Sequence, residues 1–83
     1  MKYKKEARDF WGDKLPKRVE MLSTVRTDLP FVTKKNLIAH EGQVYDVKMN
    51  VFGAVFIDYP DGSYLGLKPG EFDVVEWQEV EFE

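Results

Sequence analysis

Leu65-Gly66-Leu67-Lys68-Pro69-Gly70-Glu71-Phe72, preceded by Pro60-Asp61-Gly62 and followed by Asp73-Val74-Val75-Glu76-Trp77, reads as a hairpin turn, a short strand, a tight turn and a closing strand. Asp61-Gly62 places residues that tolerate positive φ between two apolar runs, and Pro69-Gly70 fixes one turn position while freeing the next. Gly62 and Gly70 are therefore expected in conformations that a residue with a Cβ resists. Two reversals so close together imply a small, curled, antiparallel sheet.

Upstream, Gln43–Asn50 shows the clearest period of two, Tyr45, Val47 and Met49 alternating with Val44, Asp46, Lys48 and Asn50. Ala54–Tyr59 is apolar on both faces until Asp58, as a covered central strand would be, and Phe52-Gly53 supplies the turn into it. Arg18–Val25 alternates loosely and reads as a further strand, with Val19 and Met21 on one face. The irregular connection Thr27–His40 follows, with Leu29, Phe31, Val32, Leu37 and Ile38 able to turn inward; loops of such length often carry function. At the start, Tyr3, Ala7, Phe10 and Trp11 share one face of a short amphipathic helix over residues 3–12, ended by Gly12 with Pro16 just beyond. Too short to persist alone, it must dock, either on its own barrel or on a partner, with Phe10 and Trp11 as its anchors.

The fold class this predicts is mainly β: a small barrel of about five antiparallel strands over residues 18–77, in meander order, with an amino-terminal helix. Residues 78–83 form an acidic tail or extend the last strand. Tyr45, Val47, Val55, Ile57, Leu65, Leu67 and Val74 are the expected core. Eighty-three residues make a single domain, and 43% hydrophobic content supports a folded chain. Cysteine is absent, which rules out disulfides and thiolate metal sites. The apolar runs are too short to span a bilayer as a helix, and the lysine-rich start leads into no apolar signal segment, so no membrane association and a cytoplasmic location are expected.

The order of residues resembles the carboxy-terminal half of a Src-homology-3 domain. Glu41-Gly42-Gln43-Val44-Tyr45-Asp46-Val47 is similar to its acidic-glycine turn and second strand. Gly53–Leu67 is similar to its third strand, distal turn and fourth strand, and Lys68–Phe72 to its proline-containing single turn ending in an aromatic. The resemblance covers residues 41–77 and leaves out the amino-terminal helix. The family's peptide-binding members carry a tryptophan where Ala54 or Val55 stands here. The nearer similarity is to SH3-like barrels of bacterial and bacteriophage accessory proteins. That resemblance implies a non-enzymatic accessory role with no cofactor.

Net charge is −3, but residues 1–40 carry a net +5 and residues 41–83 a net −8. Either the basic segment lies across the acidic one and the charges compensate locally, or an acidic surface faces a basic partner. His40 has no serine elbow, cysteine or second histidine to work with, and Asp58 and Asp61 lack the further ligands of a calcium loop, so no catalytic, cofactor or metal site is assigned. Glu76, Glu79, Glu81 and Glu83 read as a solvated edge. Protein binding is expected through Phe31, Tyr59, Tyr64 and Phe72, aromatics in or beside loops, with the chain a monomer or weak homodimer. The alternative is nucleic-acid binding through Lys17, Arg18, Arg26, Lys34 and Lys35, which the acidic balance opposes.

Overall fold

A computed structural model describes residues 2–26, 37–60 and 62–83. The chain runs α1 (Lys5–Trp11), β1 (Lys14–Met21), β2 (Val25–Arg26), β3 (Ile38–Ala39), β4 (Val44–Asp46), β5 (Lys48–Met49), β6 (Val55–Asp58), β7 (Tyr64–Gly66) and β8 (Phe72–Glu79). The fold is mainly β with one short helix, and its strands form three antiparallel sheets ordered β4-β1-β8, β2-β3 and β5-β6-β7.

Among the described residues eight strands take the place of the expected five: the Arg18–Val25 run divides between β1 and β2, the Gln43–Asn50 run divides into β4 and β5, and β3 lies in the connection read as irregular. The Gln43–Asn50 run breaks at Val47, whose backbone N–H donates to the Lys17 carbonyl (3.0 Å). β4 then pairs with β1 and β5 with β6, so one alternating segment serves two sheets and its inward side chains face both. The first strand begins at Lys14 rather than Arg18. Helix α1 ends at Trp11 with Gly12 as its C-cap, as expected, and Pro16 just beyond is buried inside β1, where pairing with β4 extends only over Arg18–Glu20, so its missing N–H disrupts no ladder. Its carbonyl accepts from the Gln78 amide (3.1 Å). Register shifts between Pro16 and Val19 kink the long β1–β8 ribbon.

The core contains Val47, Val55, Ile57, Leu65 and Leu67 as expected, with Tyr45 and Val74 half-buried against it. Ala7, Leu15, Val19, Met21, Leu37, Ala39, Met49 and Phe72 complete it. Gly62 and Gly70 have φ of 88° and 95°. β2 pairs with β3, so the long connection closes on itself; its residues 27–36, and with them the inward turn of Leu29, Phe31 and Val32, lie outside the described residues.

Helix α1 has no side-chain N-cap and is only two turns long, so its position is set by docking. Lys4 N–H donates to the Val51 carbonyl (2.7 Å), Ala7 is fully buried, and Trp11 Nε1–H donates to the Gly53 carbonyl (2.9 Å). Asn50 shapes the turn that receives them: its Oδ1 accepts from the backbone N–H groups of Phe52 (2.9 Å) and Ala54 (3.0 Å). Gly53 sits under the helix with φ 89°, and a Cβ there would lie 3.1 Å from the Ala7 Cα. The tail extends the last strand through Gln78 and Glu79, which pair with Leu15 and Lys14, and then leaves the ladder. It forms a parallel bridge from Phe82 to Tyr3, clamped by Tyr3 N–H to Glu81 O (3.0 Å) and Glu83 N–H to Tyr3 O (2.9 Å).

Candidate protein-binding surface

The anchors expected on α1 separate. Ala7 and Trp11, one helical turn apart, take the inward face, while Phe10 is left 61% exposed. Trp11 becomes the centre of an aromatic cluster, with ring centroids 4.7 Å from Phe10, 6.3 Å from Phe72 and 6.1 Å from Trp77. Phe72 opens β8 pointing inward, and the strand's alternation sends Val74 inward and Val75 and Trp77 out. Beside this cluster the Lys68–Glu71 turn brings up Pro69; Glu71 N–H donates to Lys68 O (3.1 Å) and Glu71 Oε1 accepts from Lys68 N–H (2.6 Å), which holds the turn from both ends.

Two shallow apolar depressions meet at Phe10, Trp11 and Pro69. One, of about 360 Å3, extends to Phe52 and Ala54. The other runs along Asp73, Val75 and Trp77. Together they form a groove across α1, the Lys68–Glu71 turn and the outer face of β8. Phe52 (57%), Val75 (51%) and Trp77 (46%) are large apolar side chains left in water beside Phe10.

Among the described residues anticipated for binding, Tyr59, Tyr64 and Phe72 differ in exposure and in the partners they meet. Phe72 is buried in the core, because the turn before it ends one residue earlier than a loop position would require. Tyr59 is half-buried, its hydroxyl directed at the Ile38 carbonyl (3.4 Å), and burial raises its pKa above the ordinary tyrosine value, with a smaller contribution from Tyr45. Tyr64 is exposed but stacks edge-on to Phe56 (5.7 Å) on the β5-β6-β7 sheet. Phe31 lies outside the described residues. Trp77 and Val75 were missed, although the period of two that places Val74 inward already sends them outward, and Phe10 was expected as a docking anchor of the helix rather than as part of this surface.

Two of the basic residues named for the alternative are engaged in ion pairs. Lys17 pairs with Glu76 (3.5 Å) and Arg18 with Asp46 (2.9 Å), both exposed, while Arg26 is exposed on β2; Lys34 and Lys35 lie outside the described residues. With Lys4–Glu83 (2.9 Å), three ion pairs join the basic first half of the chain to the acidic second half, the local compensation expected as one outcome of the charge asymmetry. His40 is exposed, its backbone N–H donating to the Tyr45 hydroxyl (2.9 Å). Asp58 is paired with Lys48 (3.2 Å), and Asp61 lies outside the described residues. Among the described residues no three His, Cys, Asp or Glu side chains converge as metal ligands, and no helix is long and apolar enough to cross a membrane. No protein-family model, curated protein or solved structure matches this chain.

Proposed function

We propose that the chain is a small, non-catalytic protein-interaction module of the SH3-like barrel type, serving as a cytoplasmic accessory protein of the bacterial or bacteriophage kind. The observation that carries the binding role is the continuous exposed surface of Phe10, Phe52, Val75 and Trp77 around the half-buried Trp11. Exposed apolar side chains grouped in this way mark contact surfaces, since each retains a hydrophobic gain that the folded monomer leaves unused. Aromatics of this kind are typical interface anchors. The sequence resemblance over residues 41–77 supports the barrel type, and the involvement of basic side chains in exposed ion pairs favours a protein over a polyphosphate partner.

The test is affinity capture from a host lysate with the wild-type chain and with the double variant Phe10→Ser, Trp77→Ser, each before and after nuclease. Both positions are exposed enough for the variant to fold, which its circular dichroism and melting temperature check. A protein that survives nuclease and is lost with the variant supports the reading. Capture that disappears with nuclease, or that ignores both substitutions, overturns it.

A further inference from the structure

The groove's occupant is indicated by the charge beside it. Along the β1–β8 ladder, Lys14 stands opposite Glu79 and Arg18 opposite Glu76, and across the β1–β4 ladder Arg18 stands opposite Asp46. Each of these juxtapositions joins opposite signs, the arrangement that stabilises neighbouring strands. Glu20 and Asp73 break the pattern: they are direct partners in the β1–β8 register, both exposed, both acidic, and among the described residues neither belongs to an ion pair. Like charges directly opposite one another destabilise a sheet. Asp73 also lines the part of the groove that Trp11 and Trp77 line, and Glu6 lines its other end, with Lys68 the cation on the rim among the described residues.

Resting on the protein-binding reading above, we infer that the groove receives a basic, apolar-centred segment of the partner. Its hydrophobic side chains pack on Phe10, Trp11 and Trp77, and a lysine or arginine is held between Glu20 and Asp73. The apolar floor supplies the affinity, and the carboxylate pair supplies sign selectivity and a faster encounter. A second copy of this chain fits less well, because it would bring another Asp73 and Glu20 toward a surface that already carries two uncompensated negative charges.

The inference is tested by titrating 15N-labelled protein with two synthetic peptides that share a Leu-Phe centre, one flanked by lysines and one by glutamates. The lysine-flanked peptide is expected to shift the resonances of Phe10, Trp11 and Trp77 and to bind about tenfold more tightly at low salt, the preference shrinking as salt screens it. In Asp73→Lys the new side chain faces Glu20, so the preference should vanish while the unfolding midpoint holds or rises. Equal binding of the two peptides, binding of neither, a preference that survives Asp73→Lys, or groove shifts that follow protein concentration without peptide would each overturn the inference. Equal binding at the groove leaves the protein-binding reading standing; that reading falls if capture disappears with nuclease or ignores the substitutions at Phe10 and Trp77.

Discussion

Gly53 concentrates two separate demands on a single residue. Its φ of 89° lies in the left-handed region, and the space where a Cβ would stand is taken by the Ala7 backbone at 3.1 Å and the Trp11 ring at 3.2 Å. Gly70, with φ 95°, has open space around the same position, so the two glycines separate strain from crowding. Gly70→Ala should cost about 1 kcal/mol through backbone conformation alone. Gly53→Ala should cost about 1–3 kcal/mol more, because a backbone atom of a fully buried helical residue cannot move aside as a flexible side chain would. Urea unfolding of the two variants measures the difference, and equal losses would show that α1 gives way freely. Asn50 works beside Gly53: with its Oδ1 accepting two backbone N–H groups, Asn50→Ala leaves both without that partner in an exposed turn and should cost about 1 kcal/mol in the same assay.

The elements differ in how far the sequence announces them. β6 and β7 were readable, since turn signals bound the apolar run that holds the buried Val55 and Ile57 and the short run that holds Leu65, and Ile57→Ala should destabilise by about 2–5 kcal/mol as a buried truncation does. β1 was readable only in its second half, where Val19 and Met21 fall inward as expected; Lys14–Lys17 was not, since Pro16 carries a turn signal and only the absence of β4 alongside it makes a strand proline harmless, which is information about pairing rather than about local sequence. The bend at Val47 has the same origin, since strict alternation predicts one strand and says nothing of which neighbours it meets. For the binding surface, composition pointed to exposed aromatics but placed them at loop positions. In α1 the inward face is narrower than four apolar residues suggest, so Trp11 is held by its hydrogen bond to Gly53 and Phe10 is displaced outward. Trp11→Ala should therefore cost about 2–4 kcal/mol and abolish hydrogen-exchange protection in α1 before the sheets open, whereas Phe10→Ser should leave stability within about 0.5 kcal/mol.

Across the whole molecule, the charge that is segregated along the chain becomes interleaved in space. Lys4–Glu83 lies beside the Tyr3–Phe82 bridge, so the two ends of the sequence are joined by backbone and by charge. The Glu83 carboxylate, first through its hydrogen bond and then through its charge, raises the Lys4 pKa above the ordinary lysine value. Burial raises that of Tyr59, with a smaller contribution from the Tyr45 phenol. Both groups thus hold their protons more tightly folded than unfolded, and the sign of the linkage is the same for each. Their contributions are complete below the unfolded pKa values, near pH 10, and are lost as pH rises through the folded ones. Loss of the Lys4 proton ends its attraction to Glu83, and loss of the Tyr59 proton puts a negative charge on a half-buried oxygen that faces the Ile38 carbonyl. Urea midpoints should accordingly be flat from neutrality to about pH 9 and fall above pH 10. Tyr59→Phe removes the phenol without removing the ring, so it should leave the neutral midpoint nearly unchanged and make the alkaline fall shallower. A fall of undiminished slope in that variant would assign the alkaline sensitivity to groups other than Tyr59.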